Sequence, residues 1–315
     1  MEANTIPVEE TVPYVIDTDC GVDDSMALVI AISNLDIDAI TAVSGNTEVE
    51  NVVKNVSKVL EICDKKIPIY KGADRPILKA PERATKYHGK DGLADNPEVM
   101  AMEGYMDCYN DEVTAAQYLV RRAKESEINL ICLGPLTNIA IACFLYPQFP
   151  SRINKIFVMG GTILGKGNTS VNAEFNFLAD PEATFRVFKS FKMVDIVPWE
   201  ASPTFVIPEE YYDELTDPDK PKSRFIANTH WDQLKRLKKL MICDGFTPMV
   251  AIDPSICDSC EELHCEVFLQ GDAQGQISYA WPNFTSLSSK EKINCRVHYD
   301  FDVEKTMKIL LSSLK

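Results

Sequence analysis

The chain has 315 residues, 45% hydrophobic and 25% charged, a soluble globular composition long enough to bury a large α/β core. Its 32 Lys and Arg against 47 Asp and Glu give a formal charge of −15 with no basic block, which argues against nucleic acid or anionic membrane as partners. A neutral or cation-assisted small molecule suits it better, and no apolar run approaches the roughly 18 residues that cross a bilayer.

Residues 1–13 carry no positive segment followed by an apolar core, so no signal peptide is read and a cytoplasmic location is expected. Val12 to Ile16 is an apolar run short enough for a buried strand, and Met26 to Ile32 continues as a buried helix. Between them Asp17, Asp19, Asp23 and Asp24 place four carboxylates within eight positions. On extended backbone Asp17 and Asp19 share a side. Gly21 permits a sharp turn, after which Asp23 and Asp24 fall in the first helical turn, where the dipole favours negative charge. So dense a negative cluster is unfavourable unless a cation shares it. The side-chain donors are nearly all oxygen, which selects a hard ion, Ca²⁺ or Mg²⁺, over zinc.

A second strand, Ala39 to Val43, ends at Ser44-Gly45-Asn46, and Val52 to Cys63 repeats at helical steps. Ile67 to Tyr70 is a short strand. Residues 72–110 read as a loop too long for a plain connector, a length that tends to be functional. A helix over about 112–124 leads to a buried strand, Ile128 to Leu133, ending in Gly134-Pro135-Leu136-Thr137-Asn138. Lys155 to Met159 is the next strand. Asp180-Pro181-Glu182 opens a helix with Asp180 as its cap, and Met193 to Val197 is another strand. Such alternation predicts an open, mainly parallel central sheet with helices on both faces. The last third is less regular: a helix over 223–240, strands over 265–269 and 276–279, and a terminal helix over 303–314. No linker is visible, so residues 1–315 are read as a single domain.

Polar residues gather at strand ends, the layout of a site along the carboxyl edge of a sheet. The run Gly167-Asn168 to Ala173-Glu174-Phe175-Asn176 adds Glu174 and Asn176, which extended backbone would aim the same way. Asn, Glu and Asn supply the mixed donors and acceptors that vicinal hydroxyls need.

The Asp-rich opening, Ser-Gly-Asn, Leu-Gly-Pro-Leu-Thr-Asn-Ile-Ala, and Gly-Asn followed by Ala-Glu-Phe-Asn and Asp-Pro-Glu-Ala occur in register over Val15 to about Pro254. In these motifs the chain resembles the nucleoside hydrolases, the inosine-uridine-preferring nucleoside N-ribohydrolase family. The resemblance implies the nucleoside hydrolase fold with a Rossmann-like core, hydrolysis of a ribonucleoside to ribose and free base, a Ca²⁺ cofactor and a homodimer or homotetramer. It further implies that Asp19 and Asp24 bind Ca²⁺ with the Leu133 carbonyl and Asp244. Asp23, Asn46, Asn168, Glu174 and Asn176 would hold the ribose, Met159 would line the sugar pocket, and Asp19 would be the general base.

The chain departs from the family pattern where many members carry His before the last metal-binding Asp: Cys243 stands there. A thiol is a poorer mimic of imidazolium, and losing a positioned general acid typically costs about 10²–10⁴-fold. His88, in Tyr87-His88-Gly89, resembles the family's second histidine and is the candidate acid or base contact. Trp231 is a candidate for stacking on the nucleobase. A catalytically weak protein that binds a ribosyl metabolite is the alternative that Cys243 suggests. A Mg²⁺-dependent phosphotransferase or phosphatase would want a phosphate-cradling glycine loop or Lys, and none is evident. The ten cysteines are read as reduced thiols, including Cys257, Cys260 and Cys265 beside His264, whose spacing is not a clean zinc framework.

Overall fold

The computed structural model describes residues 11–231, 234, 240–281 and 293–315. Ten strands form the sheet in the order β4-β3-β2-β1-β5-β6-β7-β10-β8-β9. They are β1 (Tyr14–Thr18), β2 (Ile37–Ala42), β3 (Ile69–Lys71), β4 (Tyr109–Asn110), β5 (Ile128–Cys132), β6 (Ile153–Met159), β7 (Val194–Val197), β8 (Cys257–Val267), β9 (Ile277–Ala280) and β10 (Cys295–Phe301). From β4 to β7 every neighbouring pair is parallel, and β10 lies parallel to β7; only β8 and β9 run antiparallel to their neighbours.

Strand β1 shows why both faces are covered. Val15 and Ile16 are both fully buried and point to opposite faces, Val15 into one apolar cluster and Ile16 into the other. A strand with no wet face reads as a continuous apolar run. Helices α1 (Val22–Asn34) and α2 (Val49–Cys63), with Phe246–Ile252 and Val303–Ser313, cover Ile16's side. Helices Ala115–Glu125, Thr137–Leu145 and Pro181–Ser190 cover the other. Helix α2 buries Val49, Val52, Val56, Val59 and Leu60 along one stripe and ends where Asp64 turns into the left-handed region at φ 49°.

The chain leaves β1 towards β2, β3 and β4, then returns to β5 on β1's other side and continues to β6 and β7. The order therefore reverses between β1 and β5. A crevice opens outside the carboxyl ends of the strands at such a point, where open α/β sheets bind ligands.

Two departures from the sequence expectation concern the last third. Strand β8 begins at Cys257, eight residues earlier than expected, and β10 was not anticipated. Their exposed and buried residues alternate, as in the antiparallel part of a sheet with one solvated face, and alternating polar residues hide such strands in a sequence. The long segment over 72–110 is only partly a loop: Thr85–His88 and Pro97–Met100 form short helical turns and β4 closes it. The helix expected over 223–240 is seen as Pro221–Thr229, and residues 232–233 and 235–239 lie outside the described residues.

Candidate active site

The carboxylates at the end of β1 are fixed by backbone and short side chains. Asp24, at the third position of α1, accepts from the Gly21 N–H at 2.9 Å, from Thr18 Oγ1 at 2.6 Å and from Asn46 Nδ2 at 3.0 Å. Asp19 Oδ2 accepts the Asn46 N–H at 2.7 Å, while Asp19 Oδ1 is buried without a hydrogen-bond partner. Close approach explains two glycines here. A Cβ at Gly134 would stand 2.6 Å from Asp19 Oδ1, and one at Gly45 would collide with Asp19 Oδ2.

Asp17 does not join them. Its Oδ1 takes hydrogen bonds from Thr41 and, at 2.8 Å, from Asn138 Nδ2, tying β1 to β2 and to the first turn of the helix Thr137–Leu145, and burial pushes it up to about 7. The alternation that would aim Asp17 and Asp19 the same way does not carry to Asp19, because β1 ends at Thr18.

Asp244 arrives from 220 residues further along (244 − 24) and lies in hydrogen-bond contact with Asp24. Burial raises Asp244 well above the usual carboxylate range, with the charges of Asp23, Asp24 and Asp19 adding to it. Asp19 is likewise raised, first by burial and then by Asp24. Asp24 is raised by burial and then by Asp23, and burial carries Asp23 to about 6. Such mutual elevation is what like charges in low dielectric produce, and a cation among them would reverse it.

Beside the acids lies a cavity of about 290 Å³ lined by Asp23, Asn46, His88, Leu133, Met159, Asn168, Glu174, Asn176, Cys243 and Asp244. Asn176 Nδ2 donates to the Leu133 carbonyl at 2.7 Å and to the Met159 carbonyl at 3.3 Å. Against the expectation of one extended run, only Glu174 is extended, at φ −82° and ψ 153°, and it caps the helix Phe175–Ala179 in which Asn176 lies. Its Oε1 accepts the Asn176 N–H at 2.8 Å, and its Oε2 accepts those of Gly161 at 3.0 Å and Phe177 at 3.3 Å. Burial nevertheless lifts Glu174 to about 7. Asn168 Oδ1 accepts the Phe175 N–H at 2.9 Å, which pins the preceding loop.

Beside Asp23, His88 Nδ1 accepts the Val22 N–H at 3.2 Å. That nitrogen carries a lone pair, so Asp23 Oδ1, 3.7 Å from it, is a neighbour rather than an ion-pair partner. Burial holds His88 down at about 4, so the ring is neutral with its proton on Nε2. The Cys243 thiol hydrogen-bonds Asp23. Burial raises it well above the ordinary thiol range, with the charges of Asp244 and Asp23 adding to that.

Trp231 does not line this cavity. It is 55% exposed and faces a separate groove with Val206, Ile207 and Tyr212. The helix Pro221–Thr229 ends at His230, and it is His230 that turns inward, 1% exposed. The aromatic residues at the cavity are Trp199, just beyond β7, with Phe175 and Tyr87. Trp199 was the residue sequence reasoning missed, and its place directly after a strand's carboxyl end was the signal available. Cys257, Cys260, His264 and Cys265 are strung along β8 at roughly 3.4 Å per residue with alternating direction. All ten cysteines are free thiols.

Fold and cavity together define an α/β protein with a buried nest of carboxylates at the point where its strand order reverses. The chain belongs to the inosine-uridine preferring nucleoside hydrolase family, whose model matches residues 14–308. It is 37% identical over 180 residues to the non-specific ribonucleoside hydrolase RihC of Escherichia coli (strain SMS-3-5 / SECEC). The match to RihC of Shigella flexneri serotype 5b is 36% over 186 residues. In both, the aligned stretch is 56% of this chain and spans only 58% of the relative's length. Among solved structures it is similar to an inosine-guanosine nucleoside hydrolase, with 28% identity and a TM-score of 0.87 over 96% of this chain and 98% of that one. A purine-preferring ribonucleoside hydrolase from Gardnerella vaginalis, at 21% identity, TM-score 0.82 and the same coverage of both chains, shares the fold.

Proposed function

We propose that this chain hydrolyses the N-glycosidic bond of ribonucleosides, giving ribose and free base, with Ca²⁺ as its cofactor. The observation that carries the reading is Asp19 Oδ1, a fully buried carboxylate oxygen without a partner, beside carboxylates raised by burial and then by one another's charge. Asp19, Asp24, Asp244 and the Leu133 carbonyl form an all-oxygen donor set suited to a hard ion. When bound, the ion would neutralise these carboxylates and acidify and orient a water.

The chain's own residues then have distinct tasks. Asp19 Oδ1 is free to take the proton from the attacking water. Asp23, Asn46, Asn168, Glu174 and Asn176 line the wall where ribose hydroxyls would sit, and their orientation of the sugar could lower the barrier by several kcal/mol. Positive charge grows on the ribose ring as the bond breaks, as it does in related glycoside cleavage, and the surrounding carboxylates oppose that charge electrostatically. No Lys or Arg lines the cavity among the described residues, which favours a neutral nucleoside over a phosphorylated one.

At the leaving-group side neither candidate is a charged acid. His88 is neutral and suited to donate a hydrogen bond through Nε2, and the Cys243 thiol is engaged with Asp23. That engagement favours the second reading, a protein that binds a ribosyl ligand with weak turnover. Release of free base from inosine or uridine, with and without Ca²⁺, decides between them. Calcium-dependent release supports hydrolysis, and tight binding without release supports the second reading.

A further inference from the structure

The same pocket holds a second, differently composed set of donors. One ligand atom each from Asp23, Cys243 and Asp244 lies within 4.8 Å of the other two, and all three residues are buried. Among the described residues this is the one set of three His, Cys, Asp or Glu side chains brought so close. It is not the all-oxygen set assigned above to Ca²⁺; the two share only Asp244. Asp19 Oδ1, buried and unpartnered, belongs to the same nest, because its charge acts on both Asp23 and Asp244.

Donor chemistry separates the two sets. Calcium takes six to eight oxygen ligands and gains little from sulfur. A borderline or soft divalent ion prefers a thiolate with a small number of carboxylates in tetrahedral array. With metal–ligand distances of about 2.0–2.3 Å, tetrahedral donors stand roughly 3.5 Å apart. The three observed atoms lie within 4.8 Å of one another, and the Cys243 thiol already hydrogen-bonds Asp23.

We propose that Asp23, Cys243 and Asp244 form a site for a thiophilic divalent cation, Zn²⁺ or Cd²⁺ by class, that overlaps the Ca²⁺ and sugar sites and blocks them when filled. Binding forms a metal–sulfur bond and releases the thiol proton to solvent; no oxidant or reductant takes part. Asp244 cannot serve both ions fully, so calcium and the thiophilic ion compete. Asp23, drawn to the metal, no longer faces the pocket.

The test is a Cd²⁺ titration of the purified protein and of Cys243→Ser, followed by the ultraviolet absorbance of the cadmium–thiolate bond, which needs no turnover. The expected result is one equivalent of tight binding in the parent protein that is missing from Cys243→Ser and is weakened at least tenfold by excess Ca²⁺. Melting-temperature shifts with Ca²⁺ establish that the variant is folded and keeps its calcium site. Equal cadmium binding and absorbance in both proteins, or binding indifferent to Ca²⁺, overturns the proposal. Failure of the hydrolytic reading would appear separately, as no release of base by the parent protein with Ca²⁺ alone.

Discussion

Two sets of groups stand around the cavity, and they are built differently. In the acid set three carboxylates are held by backbone: Asp24 by Gly21, Asp19 by Asn46, and Glu174 by three N–H groups of Gly161, Asn176 and Phe177. The other set comes from a long connection and from segments beyond β7, namely His88, Tyr87, Trp199 and Cys243, and it reaches the acids directly: His88 Nδ1 lies 3.7 Å from Asp23, and the Cys243 thiol hydrogen-bonds it. Strand ends and helix starts fix a donor to within tenths of an ångström, whereas loops hold side chains that vary with the ligand they meet. A wall held by backbone suits a part of a ligand that does not vary, and groups carried on loops suit a part that does.

This contrast can be broken by mutation. Asp19→Ala should lower kcat by about 10³-fold or more, by the same factor for inosine and uridine. A loss confined to one substrate would show that Asp19 does not act on the common sugar. Glu174→Gln places an amide group against backbone donors, so it should cost roughly 1–3 kcal/mol of stability. A thermal melt as high as the parent's would mean that its carboxylate is not needed as a cap. Cys243→Ala should affect good and poor leaving groups unequally, with ratios differing by about tenfold, a fraction of a general acid's contribution. Equal losses would remove Cys243 from the leaving-group side. Trp231→Ala should change kcat/KM by less than about threefold, as surface changes away from a site do, and a larger loss would return Trp231 to the pocket.

The acid set also predicts a pH dependence. Asp23 stands at about 6 and Glu174 at about 7, above the usual carboxylate range near 4. A raised folded-state value means the native state holds a proton that the unfolded chain has released. That stabilisation is full below about pH 4 and is lost as pH rises through 6 to 7. His88 and His230, both near 4, oppose it below about pH 6.5. Asp17, Asp19, Asp24 and Asp244 are raised too, so carboxylates dominate. Chelated protein should melt higher at pH 5.5 than at pH 8, and Ca²⁺ should raise the melting temperature more at pH 8. The reverse order would mean that the cluster is ionised without a cation.

What the sequence determined by itself was local. The apolar run before Asp17, Gly21 and the Asp pair at the start of α1 are consecutive, so strand, turn and helix cap follow from neighbours alone. Asp180 was legible as a cap for the same reason, and it accepts the Ala183 N–H at 3.0 Å. Tertiary structure decided the rest. The contact of Asp244 with Asp24 depends on the helix Phe246–Ile252 packing against α1, and no spacing in the chain encodes it. Facing mattered equally: Trp231 and His230 are adjacent, yet the helix ending there sends one outward and the other in. Strand β10 finds its place only because β7 and β8 present their edges to it from far apart in sequence. Short-range patterns fix which elements form, whereas burial of both faces of the sheet fixes which side chains meet.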